Sequence, residues 1–524
     1  MRVLLLRPPR YVWPFNSETS AFWQPLGLLC LAAAVRKALP EVEVQVLDAP
    51  GEKMGWKTLE RRLAATPVDV LGVGEETVSA HEALRAAGLA RQHSPGCIVV
   101  AGGTYFAHAI DETLADGRVD VIVRGEGEVT FVELLRPACR SGGHVADRSA
   151  WGGIRGVAFR GADGRPIVTP PRELVENLDD LPFPAYDLVN MSAYGRGSRN
   201  HPALVSIEHS RGCTDSCGFC ILWKQMGESA GEGGAMLPRY RTHSAERSFE
   251  DVRRLYTQFG RRTFGWVDPT FNASPSWSDP WAERMLASDL MTPGGQARTL
   301  HTAWVRADAV VRDEKLGILE KLVRAGLRQV MIGVERDDAA GLSVLQKHHN
   351  GADVCREAFA IFREKYPQVY TIGTMIFGLP GDTPKDLWRL ADCEQAMGMD
   401  YCFLIPLTPN PGTAVAAEAR QAGRLAGTDL AKYNFHTPVC TTETMGLRDL
   451  ESIYWKIMLR PSLGRMGRWI TQAFFERDRR RRRVHRALLE RGTAIAARSL
   501  WRAMVHPRDP EPALHSRRPS WYES

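Results

Sequence analysis

The sequence predicts an α/β chain made of a doubly wound N-terminal domain, a second series of β/α units and a helical C-terminal tail. Three observations carry this. β-branched runs alternate with helical patterns from residue 1 to about 135, the same rhythm returns from about 203 to 418, and helical patterns alone follow 420. At 524 residues the chain is too long for one ordinary core.

In the first series, strands are expected at Val3–Leu6, Val44–Leu47, Val70–Val73, Ile98–Ala101 and Val119–Val123. Helices are expected between them at Leu26–Leu39, Trp56–Ala65, Ala80–Gln92 and Ala107–Ala115. Ligands of such sheets sit beyond the carboxyl ends of the strands. The turns there read Arg7-Pro8-Pro9-Arg10, Asp48-Ala49-Pro50-Gly51, Gly74-Glu75-Glu76-Thr77, Gly102-Gly103-Thr104-Tyr105 and Arg124-Gly125-Glu126-Gly127-Glu128. The first strand is not followed by GxGxxG, so this is not a dinucleotide fingerprint. Residues 139–200 read as a connector with a small hairpin (Gly156–Arg160, Ile167–Thr169).

The second series predicts strands at Ala203–Ile207, Phe264–Val267, His301–Val305, Gln329–Ile332, Thr371–Ile376 and Tyr401–Pro406, with helices at Glu314–Ala325 and Asp353–Glu364 among those between them. The tail carries helical patterns at Leu450–Leu459 and Trp469–Phe475. The run Arg479–Arg483 reads as a solvated helix face, and the last fifteen residues read as disordered.

Hydrophobic residues at 44% and charged residues at 24% are ordinary globular values, and a net charge of +6 is small for this length, so no nucleic-acid partner is expected. Seven of the ten cysteines are scattered singly, which argues against a disulfide framework and for a reducing cytoplasm. The longest apolar stretch, Leu26 to Val35, is closed by Arg36-Lys37 and predicts a core helix, not a membrane span. The first residues are too charged for a signal peptide.

The remaining three cysteines lie together in Cys213-Thr214-Asp215-Ser216-Cys217-Gly218-Phe219-Cys220, a CxxxCxxC pattern after a strand-like run and a tight Arg211-Gly212 turn. A structural zinc needs a fourth ligand, and no second cysteine pair or His-x-x-x-His follows at a usual spacing. Three thiolates on a short loop suggest an incomplete shell, as in an iron–sulfur cube with one iron left open to a substrate or cofactor.

This motif, with an aromatic residue before its last cysteine, resembles the signature of the radical S-adenosylmethionine superfamily. The resemblance implies that Cys213, Cys217 and Cys220 ligate a [4Fe–4S] cluster and that S-adenosylmethionine chelates its fourth iron beside Phe219. It also implies a partial (β/α)6 barrel working at the carboxyl ends of its strands. There Asp268 is expected at the methionine amine or the substrate, Arg306 towards the methionine carboxylate, Glu335 at the ribose, and Gly378 beside the adenine.

The turns of the first domain resemble the cobalamin-binding domain that precedes many such cores. That resemblance implies contacts to cobalamin from Pro8, Glu75, Thr77, Gly102, Gly103, Gly125, Glu126 and Gly127. Cobalamin domains that ligate cobalt carry Asp-x-His-x-x-Gly after the second strand, whereas this chain reads Asp48-Ala49-Pro50-Gly51-Glu52-Lys53. The lower face of cobalt is therefore expected without a histidine, towards the Gly74–Thr77 turn.

The resulting domain order is a Rossmann-like cobalamin-binding domain at 1–138, a connector at 139–200, a radical S-adenosylmethionine core at 201–420, a helical region at 421–510 and a disordered end at 511–524. The activity implied is methyl transfer to an unactivated carbon of a small-molecule substrate, with a flavodoxin or ferredoxin as electron donor. The anaerobic magnesium-protoporphyrin monomethyl ester cyclase type, which Cys220-Ile221-Leu222-Trp223-Lys224 and Lys432–Pro438 also resemble, is the alternative within the family. A non-catalytic cobalamin-binding regulator is the alternative outside it. Trp223, Tyr240, Trp266 and Trp304 are candidates to line a pocket, and Lys347-His348-His349 reads as a solvated polar stretch.

Overall fold

The computed structural model describes residues 1–10, 23–74, 76–140, 148–195, 203–231, 234–349, 351–426, 429–476, 482, 485–486, 489 and 521–524. Two sheets organise them. The first has strands β1 (Arg2–Arg7), β2 (Glu43–Asp48), β3 (Val70–Gly74), β4 (Ile98–Gly102), β5 (Val121–Val123), β6 (Val157–Arg160) and β7 (Pro166–Val168), in the spatial order β2-β1-β3-β4-β5-β6-β7. β1 to β5 run parallel, as the near-continuous apolar runs demand of strands covered on both faces. β6 and β7 are antiparallel additions. The hairpin placed by sequence in the connector is thus an extension of the first sheet.

Helices cover both faces of this sheet. Trp56–Ala65 is where the sequence puts it, and Leu26–Ala38 and Ala80–His93 differ from expectation by one residue each. Of the longer helices here, Glu128–Arg140 was not expected, because Glu128 reads as part of the preceding turn.

The second sheet holds six parallel strands in sequence order, the first being β8 (Leu204–Ile207). After β8 come β9 (Ser210–Gly212), the small hairpin β10 (Glu228–Ser229) and β11 (Met236–Leu237), and β12 (Tyr240–Thr242), which pairs antiparallel with β9. The parallel series continues with β13 (Thr263–Trp266), β14 (Leu300–Val305), β15 (Leu327–Glu335), β16 (Tyr370–Phe377) and β17 (Tyr401–Pro406). Sequential order with every crossover filled by helix is the topology expected of the β/α core. The helix expected at Glu314–Ala325 is instead two, Ala307–Lys315 and Ile318–Arg324, broken at Gly317, which adopts φ +72°.

The segment between the sheets acts as a wedge. Ala185 N–H donates to Leu29 O of the first domain, Tyr186 Oη donates to Ser206 O in β8, and Arg261 donates to Met191 O. Gln24 fastens the same seam from the other side, donating to Leu204 O and accepting from Ser206 N–H.

In the tail, the two expected helices are one, Leu447–Phe475. Arg482 aside, the five-arginine run lies outside the described residues, as do residues 511–520. The last four residues depart from the expected disorder: Tyr522 is buried on Trp56, and Tyr522 O and Ser524 O accept hydrogen bonds from Trp56 N–H and Thr58 N–H. Among the described residues no helix is long and apolar enough to cross a membrane.

Candidate functional site

The cysteine loop leaves β9 through Gly212, whose φ is +81° and where a Cβ would lie 1.8 Å from Arg239 O, so only glycine fits this turn. The loop is then pinned across the second sheet. Gly218 N–H donates to Leu345 O beyond β15, Gly218 O accepts from Val415 N–H beyond β17, and Cys217 O accepts from Trp223 Nε1 at 3.0 Å. Phe219 packs against Leu345, Ile376, Leu379, Leu407 and Val415. Cys213, Cys217 and Cys220 are each partly exposed.

Burial pushes the Cys217 thiol up to about 12 and the Cys220 thiol up to about 11, and the field of the neighbouring cysteines adds to each shift. The three sulfurs therefore share one neighbourhood. Among the described residues no three Cys, His, Asp or Glu side chains converge on a point that could hold a single metal ion. A cube does not need such convergence, since each thiolate takes its own corner iron. The donor set fits that group and not a lone zinc.

Asp268 is turned into the core. It is 1% exposed, and its Oδ1 accepts from His209 N–H (2.8 Å), Ser210 N–H (2.6 Å) and Ser210 Oγ (2.8 Å). It buttresses the strand that leads into the cysteine loop. His209, equally buried, stacks on Trp277 and meets Trp266 and Phe271 edge-on, so Trp266 belongs to an aromatic core and not to a pocket wall. Trp223 is buried beneath the loop, Tyr240 Oη lies 3.5 Å from His209 Nε2, and Trp304 is exposed.

Arg306 does reach the loop. It donates to Thr214 Oγ1 at 2.6 Å, to Asp215, and to Asp308 at 2.9 and 2.5 Å. Burial lowers its pKa, but Asp308 and Asp215 outweigh this and raise it. Asp215 also lies 3.0 Å from His349 Nδ1. Glu335, at φ +63°, accepts from Lys347 Nζ (3.1 Å) and Thr374 Oγ1 (3.3 Å). Lys347 is 6% exposed and also donates to Gly333 O, so the stretch read as solvated is half built into the wall of the loop. Gly378 N–H donates to Asp382, which Arg336 grips through two nitrogens at 3.0 and 2.9 Å.

The turns of the first domain face this loop. Gly125 O accepts from Gln225 Nε2, five residues past Cys220. His108 packs so tightly on Gly412, beyond β17, that a Cβ there would lie 2.6 Å from its Nδ1. Burial first, then Lys224 and Arg124, hold the His108 imidazole down at about 4. The carboxyl ends of the two sheets therefore oppose each other.

At Gly102 and Gly125 an added Cβ would make only ordinary contacts, at 3.7 and 3.9 Å, so these turns are uncrowded, as a bulky ligand approached by backbone requires. Gly103 adopts φ +88°, Pro8 and Thr77 are buried at the same rim, and Glu75 lies outside the described residues. Gly127 has a different cause, since a Cβ would lie 3.0 Å from Leu31 Cδ2 of the covering helix. Glu126 is also turned elsewhere. It accepts from Arg211, Arg241 and Val175 N–H, all at 3.4 Å or less, across the domain boundary. Burial raises its pKa, but the arginines outweigh this and lower it.

Residues 14–135 match the B12 binding domain, and residues 207–393 match the Radical SAM superfamily. The chain joins a B12-binding domain to a radical SAM domain. It is 26% identical over 470 residues to an uncharacterized methyltransferase of Pyrococcus horikoshii, covering 88% of this chain and 94% of that one. It is 24% identical over 484 residues to the anaerobic magnesium-protoporphyrin IX monomethyl ester cyclase of Rubrivivax gelatinosus, covering 92% and 80%. Among solved structures, the radical S-adenosylmethionine methyltransferase TsrM from Kitasatospora setae, with tryptophan and a SAM analogue bound, superposes with a TM-score of 0.63 at 18% identity over 87% of this chain and 88% of that one. At that identity the likeness is one of fold.

Sequence reasoning missed His108, Arg211, Gln225 and Lys347 as members of this site. Only the Arg-Gly step before Cys213 gave a local signal, and it was read as a turn.

Proposed function

We propose that the chain is a cobalamin-dependent radical SAM methyltransferase acting in the cytoplasm on an unactivated carbon of a small molecule, with a flavodoxin-type or ferredoxin-type protein supplying electrons. One observation carries this reading: the glycine turns of the B12-binding domain stand opposite the cysteine loop, joined at Gly125 to Gln225 and at His108 to Gly412. Cys213, Cys217 and Cys220 are assigned as the thiolates that hold a [4Fe–4S] cluster. Phe219, Arg306, Glu335 and Gly378 are assigned to the rim that receives S-adenosylmethionine, and the Gly102, Gly103 and Gly125 turns to the corrin. When bound, the cluster and S-adenosylmethionine supply hydrogen-atom abstraction, and the corrinoid supplies a methyl group.

The chain's own residues handle placement. Asp268 fixes the loop from behind, Gly212 sets its direction, and the opposed sheets fix where the two rims stand relative to each other. The relatives include methyltransferases and oxidative cyclases, which supports two outcomes, and the cyclases match 84 to 92% of this chain.

The deciding experiment is anaerobic reconstitution with iron, sulfide, hydroxocobalamin and methyl-labelled S-adenosylmethionine, followed by mass analysis of products from host extract. Label in a product supports the methyltransferase. Unlabelled product with altered oxygen and hydrogen count would replace it with the cyclase. Less than one iron per chain with cobalamin still bound would favour the regulator.

A further inference from the structure

We propose that Arg211 is a positioning residue that locks the Gly125–Glu128 turn of the B12-binding domain to the cysteine loop, and so sets the relative placement of the two opposed rims. This rests on the reading above.

Arg211 stands in β9, two residues before Cys213, so a shift of its backbone passes directly into the loop. Its guanidinium donates to Glu208 at 3.1 and 2.8 Å within its own domain. It also donates to Glu128 at 2.6 Å and Glu126 at 3.4 Å in the other domain. Those two glutamates flank Gly127 in the turn that follows β5.

The second observation is independent of the first. Arg241 of β12 is the direct cross-strand partner of Arg211. Like charges directly opposite each other in an antiparallel pair repel. Glu208 answers one of the two charges, and the rest of their counter-charge comes from the other domain: Glu126 accepts from Arg241 at 2.9 and 3.1 Å as well as from Arg211. Without the B12-binding domain the ribbon β9–β12 would hold two opposed guanidiniums against the single carboxylate of Glu208.

Arg211, Arg241, Glu126 and Glu128 all have side chains no more than 8% exposed, so salt screens them little. Three carboxylates reach the Arg211 guanidinium, a demand that its planar fork of donors meets and the compact ammonium of lysine does not.

The test compares wild type with Arg211→Lys and the milder Arg241→Lys. In the cofactor-free proteins, hydrogen exchange reads the coupling: Arg211→Lys is expected to raise exchange both at 213–220 and at 125–128. In the anaerobically reconstituted proteins, iron and cobalamin contents are expected to stay near wild type. The dipolar distance distribution between reduced cluster and cob(II)alamin is expected to broaden, and 5′-deoxyadenosine released per methylated product to rise roughly tenfold for Arg211→Lys and roughly threefold for Arg241→Lys. Exchange raised in the cysteine loop alone, or an unchanged distance distribution and product ratio, would overturn the proposal. Should Arg211→Lys fail to fold, Arg241→Lys decides by the same readouts. Absence of labelled product from wild type would sink the functional reading instead, while the exchange experiment would still judge Arg211.

Discussion

The two opposed rims are built from different materials. The B12-binding rim meets its space with glycine backbone, uncrowded at Gly102 and Gly125, whereas the radical SAM rim is a lattice of ion pairs, Arg306 with Asp215 and Asp308, Lys347 with Glu335, Arg336 with Asp382. A shape-fitting rim is damaged by added bulk and is indifferent to charge. A lattice rim is damaged by removal of any one partner, because a buried unpaired charge remains.

The sharpest way to separate the rims is Cys217→Ala. Iron content is expected to fall to near zero and S-adenosylmethionine cleavage with it, while the visible spectrum of bound cobalamin persists. Loss of cobalamin as well would show that the rims are not separate devices.

Next in size is Gly212→Ala, which drives a methyl into the Arg239 carbonyl at a left-handed backbone position. A loss on the order of 3 kcal/mol in denaturant unfolding is expected. Asp268→Ala removes the acceptor for two backbone N–H groups and the Ser210 hydroxyl, and about 2 kcal/mol of stability should go with it.

Gly102→Val tests the other rim cleanly. Gly102 sits at φ −156°, extended backbone open to any residue, so stability should change by less than about 1 kcal/mol while cobalamin affinity falls roughly tenfold. Equilibrium dialysis of cobalamin against the variant checks it.

The smallest effect is a pH dependence. His108 titrates near 4 in the fold against about 6.5 in the unfolded chain. Its contribution is therefore complete above pH 6.5 and is lost as pH falls towards 4, about 0.7 kcal/mol of it between pH 7 and pH 6, and His108→Gln should flatten that slope in thermal melts.

Much of the fold was legible because parallel strands covered on both faces read as plain β-branched runs. Trp56–Ala65 and Tyr401–Pro406 fall where periodicity and composition put them. The misses have physical causes. Gly317 breaks a helix that its neighbours' periodicity joins, and Glu128 looks like a turn residue although it opens a helix. Glu126 and Arg211 are 85 residues apart, and an ion pair at that separation leaves no local pattern. Asp268 at a strand end looks the same whether it points to a ligand or backward into the core; only packing decides. Lys347 reads as solvated because its partner Glu335 lies twelve residues away around a turn.

Behind the cysteine loop, His209 sits clamped among Trp266, Phe271 and Trp277, with Asp268 holding its backbone. This plug is buried and built from protein side chains. Loss of the inorganic core thus leaves the scaffold of the thiols standing, and a bleached preparation should be repairable in place, by ferric iron, sulfide and a thiol reductant under anaerobic conditions, with no passage through denaturant.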